Sequence, residues 1–157
     1  MRATTAAIAV MRSHVPVAVV PVLLYAAFWG AQIPWARRRE AELDSAAHYV
    51  RGLLPAETDD RVNVRWKFVP SASLGGDIFG YRWLDEHRFA IFLLDVCGHG
   101  VGPALLSVSV MNALQVERVG DADIGDPGAV LAALNDQFPM TKHNNMFFTI
   151  WYGIVDL

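Results

Sequence analysis

The stretch that decides the fold runs from Arg88 to Val101: Arg88-Phe89-Ala90-Ile91-Phe92-Leu93-Leu94-Asp95-Val96-Cys97-Gly98-His99-Gly100-Val101. Six consecutive apolar residues from Phe89 lead into one aspartate, and two glycines then break the run. An apolar segment of this length bounded by turn residues predicts a strand buried on both faces. A charge at its end is costly unless solvated, capped or bound to a cation. Asp95 is therefore the first candidate for chemistry, and the glycines that follow allow backbone to approach a ligand where a side chain would clash.

Working outward, the alternation of Val62, Val64, Trp66 and Phe68 with Asn63, Arg65 and Lys67 predicts a half-buried strand. Residues 71–76 are loop-like, 78–84 form a second strand, and a tight turn at 85–87 leads into the strand already described. Residues 104–116 read as a helix. Residues 119–126 form an acidic loop, Asp126-Pro127 caps and opens a helix to about Phe138, and residues 146–155 make a last strand. The order is strand–strand–strand–helix–helix–strand, an α+β domain with a mixed or antiparallel sheet, placed at residues 60–157.

Ahead of it, residues 15–35 carry no charge and span roughly 31 Å as a helix, close to a bilayer's apolar thickness. Trp29 and Trp35 suit an interface, and Arg37, Arg38 and Arg39 follow at once. This predicts a transmembrane helix, with Pro21 as a kink and residues 1–14 as an N-terminal tail. A cleaved signal peptide is the rival, but the apolar stretch is long for one and lacks a clean small-x-small end. Residues 36–55 form an amphipathic linker or switch helix whose stripe of Leu43, Ala46, Ala47, Val50 and Leu54 is a packing or homodimer seam, ended by Pro55.

The 157 residues carry a formal net charge of −3 and a mean hydropathy of +0.28. No basic field points to nucleic acid. Cys97 is the only cysteine, so no internal disulfide forms, and its apolar setting reads as a small buried hydrophobe. The other histidines, His14, His48, His87 and His143, read as solvated or boundary residues.

A second aspartate, Asp77, follows Gly75-Gly76 and begins a strand. If the two strands are neighbours, Asp77 and Asp95 converge at one end of the sheet. Carboxylates and backbone carbonyls are the ligands magnesium and manganese prefer. Two such ions can activate a water and clamp a phosphoryl group. The bland alternative is two solvated aspartates beside ordinary turns.

The strings Leu74-Gly75-Gly76-Asp77-Ile78-Phe79, Leu94 to Val101, and Ala104-Leu105-Leu106, with the "LLP" ending at Pro55 and Asn145-Met146-Phe147-Phe148-Thr149-Ile150-Trp151-Tyr152-Gly153, resemble the SpoIIE/RsbU branch of the metal-dependent protein phosphatase (PPM) family. The resemblance covers about residues 46–156. It implies a PPM-like αββα sandwich and hydrolysis of phosphoserine or phosphothreonine in a signalling protein, such as an anti-sigma-factor antagonist. It implies two Mn2+ or Mg2+ ions, with Asp77, Asp95 and the backbone carbonyl of Val96 as ligands and Asp95 bridging. Gly75, Gly76, Gly98, His99 and Gly100 would support the motif, His99 through a turn-stabilising hydrogen bond and not as a ligand. A water would attack directly, without a phosphoenzyme.

The family's later "AGH" and "TDG" segments have no counterpart here, so the resemblance implies only the N-terminal part of the catalytic domain, with an uncovered apolar sheet face and little stability or activity alone. The implied location is the plasma membrane, single-pass, with the phosphatase-like part in the cytoplasm. Two other readings stand beside this one. A diguanylate cyclase is disfavoured because Ile78 stands where its turn needs an acidic residue. A non-catalytic, membrane-anchored regulatory module keeps the fold but not the chemistry.

Overall fold

The computed structural model describes residues 19–157 apart from Ser71 and Glu117. The expected N-terminal tail and the first four residues of the expected membrane segment lie outside the described residues. The chain divides into two units, Met1–Ala41 and Glu42–Leu157.

Helix α1 runs unbroken over Val19–Gly52, where the sequence predicted a membrane helix and a separate linker helix. Its 34 residues reach roughly 51 Å. Pro34 lies inside it, and Pro21 falls in its first turn, where a missing N–H leaves no bond unmade. Its apolar part is long enough to cross a membrane, and none of that window is buried within the protein. Near the boundary, the Arg39 guanidinium lies 5.6 Å from the centre of the Trp35 ring.

In the second unit the linker stripe packs inward. Ala47, Leu74 and Ala104, each 6% exposed or less, form a small cluster joined by Leu43, Ala46 and Val50. Leu53 and Leu54 close the last turn on the carbonyls of Val50 and Arg51 and pack against the main core.

The main sheet is an antiparallel meander of β3 (Ile78–Trp83), β4 (Arg88–Val96) and β7 (Phe148–Asp156), with β4 central. Two short hairpins flank it: β1 (Thr58–Asp59) with β2 (Asn63–Val64), and β5 (Arg118–Val119) with β6 (Ala122–Asp123). The strand expected over residues 62–68 is thus largely unpaired. Alternation buries Trp66 and Phe68 in part, against Phe79 at 5.0 and 6.3 Å between ring centres, but the segment beyond Val64 finds no ladder partner. The loop expected over 119–126 holds the β5–β6 turn instead.

Helices α2 (Val101–Leu114) and α3 (Pro127–Gln137) belong to the main core. Asp126 caps α3, accepting from the amides of Gly128 and Ala129 at 2.9 and 3.2 Å. Ile78, Phe92, Leu94 and Val96 from the sheet bury against Leu106, Val110, Met111 and Leu114 of α2 and Val130 and Leu134 of α3. Each large aliphatic or aromatic side chain so buried contributes about 1.5–3 kcal/mol.

The opposite sheet face corrects the prediction that β4 is buried on both sides. Leu93 and its cross-strand partner Trp151 are each 56% exposed. Toward the Asp95 end the face carries Phe79, Leu93 and Trp151 as the expected apolar surface, partly covered by the residue 66–69 segment, whereas toward the turn Phe89 is buried under Tyr81 and Trp83.

Candidate metal centre

The register of the sheet builds the site. Ile78 pairs with Leu94, so one residue further along Asp77 stands across from Asp95, at the end of the β3–β4 pair remote from its turn. Both side chains are solvent-facing. They share a groove of about 690 Å3 with Trp66, Lys67, Phe68, Phe79, Leu93, Thr149 and Trp151. Partial burial, a hydrogen bond to Asp95 and the charge of Asp95, in that order, push the Asp77 carboxyl above its usual range. Two carboxylates facing each other in this way repel, and a cation between them reverses the sign of that interaction.

Loop contacts hold the pair in place. Gly75 and His99 form a β-bridge, and the Gly100 amide donates to the Leu74 carbonyl at 2.8 Å. Gly76 is required at its position because an added Cβ would lie 2.7 Å from the Val96 carbonyl oxygen and 2.8 Å from its Cβ. Gly98 and Gly100 take φ of 88° and 99°, conformations in which side chains are strained. The turn after β4 is held by the backbone of His99. Its imidazole is exposed, and among the described residues it makes no hydrogen bond, contrary to the expected role.

Cys97 is half-buried rather than buried, and its Sγ accepts from the Phe147 amide at 3.3 Å. The Cys97 amide donates to the Phe147 carbonyl at 2.9 Å, which extends the β4–β7 ladder past Val96. Sequence reasoning missed Thr149, which pairs with Asp95 in that ladder. Counting the alternation back from Tyr152 gives the face that Thr149 shares, but its place opposite Asp95 depends on the β4–β7 register.

The donor set tests well against a hard divalent cation: two carboxylates at one rim, and a carbonyl brought close by a glycine. Among the described residues, no group of three or more acidic, histidine or cysteine side chains converges, so the carboxylates form a pair.

Comparison with known proteins finds the following similarities. Residues 85–157 match the family model described as Stage II sporulation protein E (SpoIIE). Over 57 residues the chain is 42% identical to the phosphoserine phosphatase RsbP of Bacillus subtilis (strain 168), which covers 36% of this chain and 14% of that protein. Among solved structures, the SiaA-PP2C domain of Pseudomonas aeruginosa aligns with a TM-score of 0.56 at 24% identity, covering 76% of this chain and 48% of that one. The chain therefore spans about half of the solved domain and a seventh of the curated relative. Residues 85–157 are thus similar to the SpoIIE family, and over the part covered the fold resembles that of the SiaA-PP2C domain.

Proposed function

We propose that this chain supplies Asp77 and Asp95 to the metal centre of a protein serine/threonine phosphatase acting on a phosphorylated signalling protein. One observation carries the reading: the β3–β4 register sets two carboxylates face to face beside the Val96 carbonyl. Asp77, Asp95 and that carbonyl would hold Mn2+ or Mg2+, with Asp95 the carboxylate between two ions. Bound there, the ions would supply an activated water and neutralise phosphoryl charge. The chain's own part is positional. Gly76 keeps the β3 loop against Val96, the Gly75–His99 bridge fixes the rim, and Lys67 places a cation on the groove wall for an anionic substrate.

The apolar part of α1 and the arginines after it support attachment to the plasma membrane, with residues 42–157 on the cytoplasmic side, where phosphoproteins occur. The pairing of only two carboxylates favours a second reading, a membrane-anchored regulatory module that keeps the fold without turnover.

Phosphate release from a phosphoserine protein, measured with the full chain and added Mn2+, separates the two. Release that disappears in Asp95→Asn supports the phosphatase. A folded chain that gives none in either form supports the regulatory module.

A further inference from the structure

We propose that Thr149 is a positioning residue of the carboxylate site: its hydroxyl, uncommitted in this structure, stands where it can turn to donate to the Asp95 carboxylate and so fix which oxygen faces Asp77. This inference rests on the cation-site reading above.

The β4–β7 register pairs Asp95 directly with Thr149. Side chains alternate along a strand, so Asp77, Asp95 and Thr149 form one row across the sheet, on the groove face. Directly opposed residues of an antiparallel pair have Cβ atoms about 4.5–5.5 Å apart, within reach of a hydroxyl-to-carboxylate hydrogen bond. The next rows on this face are Phe79–Leu93–Trp151 and Tyr81–Ile91–Gly153. The Tyr81 hydroxyl is taken, since it donates to the Ala56 carbonyl. Among the described residues Thr149 makes no hydrogen bond through its side chain, so the hydroxyl nearest the carboxylates is the uncommitted one.

Its neighbours leave it room. The Trp151 indole leans along the strand over Gly153, where an added Cβ would meet the ring at 2.5 Å, and so away from Thr149. The paired contacts between Cys97 and Phe147 lock the register on the other side. A threonine on an exposed strand is ordinary for its β-propensity alone. A hydroxyl beside a carboxylate that must be aimed at a cation is what orients a ligand from behind.

The test is Mn2+ affinity of the full chain in detergent, read by the electron paramagnetic resonance signal of free Mn2+, in Thr149→Val and Thr149→Ser. A positioning hydroxyl predicts that Thr149→Val weakens binding about tenfold while Thr149→Ser stays near the parent. A purely structural role predicts the reverse order, because valine keeps the β-branch and serine does not. Equal binding in all three overturns the inference, provided Asp95→Asn abolishes binding. Should Asp95→Asn bind Mn2+ as the parent does, the cation-site reading itself fails. If Thr149→Val does not fold, Thr149→Ala is compared with Thr149→Ser on the same criterion.

Discussion

The two ends of the β3–β4 pair use the same residue type in opposite ways. At the turn, Asp85 accepts from the amides of His87 and Arg88 at 2.8 Å each and from the Arg88 guanidinium at 2.7 Å. The His87 amide first, then the Arg88 side chain, hold its carboxyl down to about 2. Arg61 adds to this end, its guanidinium 3.8 Å from the centre of the Trp83 ring. At the other end Asp77 meets Asp95, and its carboxyl is pushed up. One end satisfies its aspartate with amides and a guanidinium, and the other sets two carboxylates against each other. Under the reading proposed above, that contrast separates a cation-binding rim from a structural turn.

The sharpest break of this contrast is Asp95→Asn. It should abolish Mn2+ binding and with it the stabilisation that ligand gives, about 2.7 kcal/mol at a hundredfold excess over Kd, measured by thermal unfolding with and without metal. Gly76→Ala comes next. Its Cβ would press on Val96 backbone, so a loss of about 1–3 kcal/mol and weakened Mn2+ binding are expected. Gly125→Ala is the control near the turn end. Its Cβ would meet Arg88 Nη1 at 2.5 Å, the mobile tip of a side chain, so urea unfolding should show a smaller loss, under about 1 kcal/mol.

The two aspartates should also differ in sign. Asp77 has a raised folded pKa, so its stabilising share is present below the ordinary 3.8 and is lost as pH rises through the raised value. At neutral pH without metal, Asp77→Asn should therefore raise the thermal midpoint, by on the order of 2 °C. Asp85 has a lowered one, so its share is present above 3.8 and is lost as pH falls through about 2. Asp85→Asn should lower the midpoint at neutral pH and move acid unfolding to higher pH, followed by circular dichroism. This is the smallest of the effects, because the group is exposed and screened.

The sequence made the meander legible because each of its strands has local punctuation. Gly75-Gly76 precedes β3, Asp85 to His87 separate β3 from β4, and Asn144 and Asn145, both at positive φ, precede β7. It misled where pattern lacked a partner. Residues 65–68 alternate like a strand, yet burying Trp66 and Phe68 against Phe79 needs no ladder. Likewise the apolar run of β4 indicates two apolar faces without saying that both are covered, and Leu93 is open. The approach of Asp77 to Asp95 was readable, since a short turn forces neighbouring antiparallel strands. Thr149 was not, because its place beside Asp95 depends on a register set across 50 residues by Cys97 and Phe147.

The central claim is that a divalent cation settles at the Asp77–Asp95 rim and nowhere near Asp85. Paramagnetic broadening of amide signals by substoichiometric Mn2+ in the full chain, in detergent micelles, measures this directly. Residues 75–78 and 94–100 should vanish first while residues 84–89 stay sharp, and Asp95→Asn should restore the lost signals. Uniform broadening, or broadening centred on Asp85 and Arg88, would contradict the account.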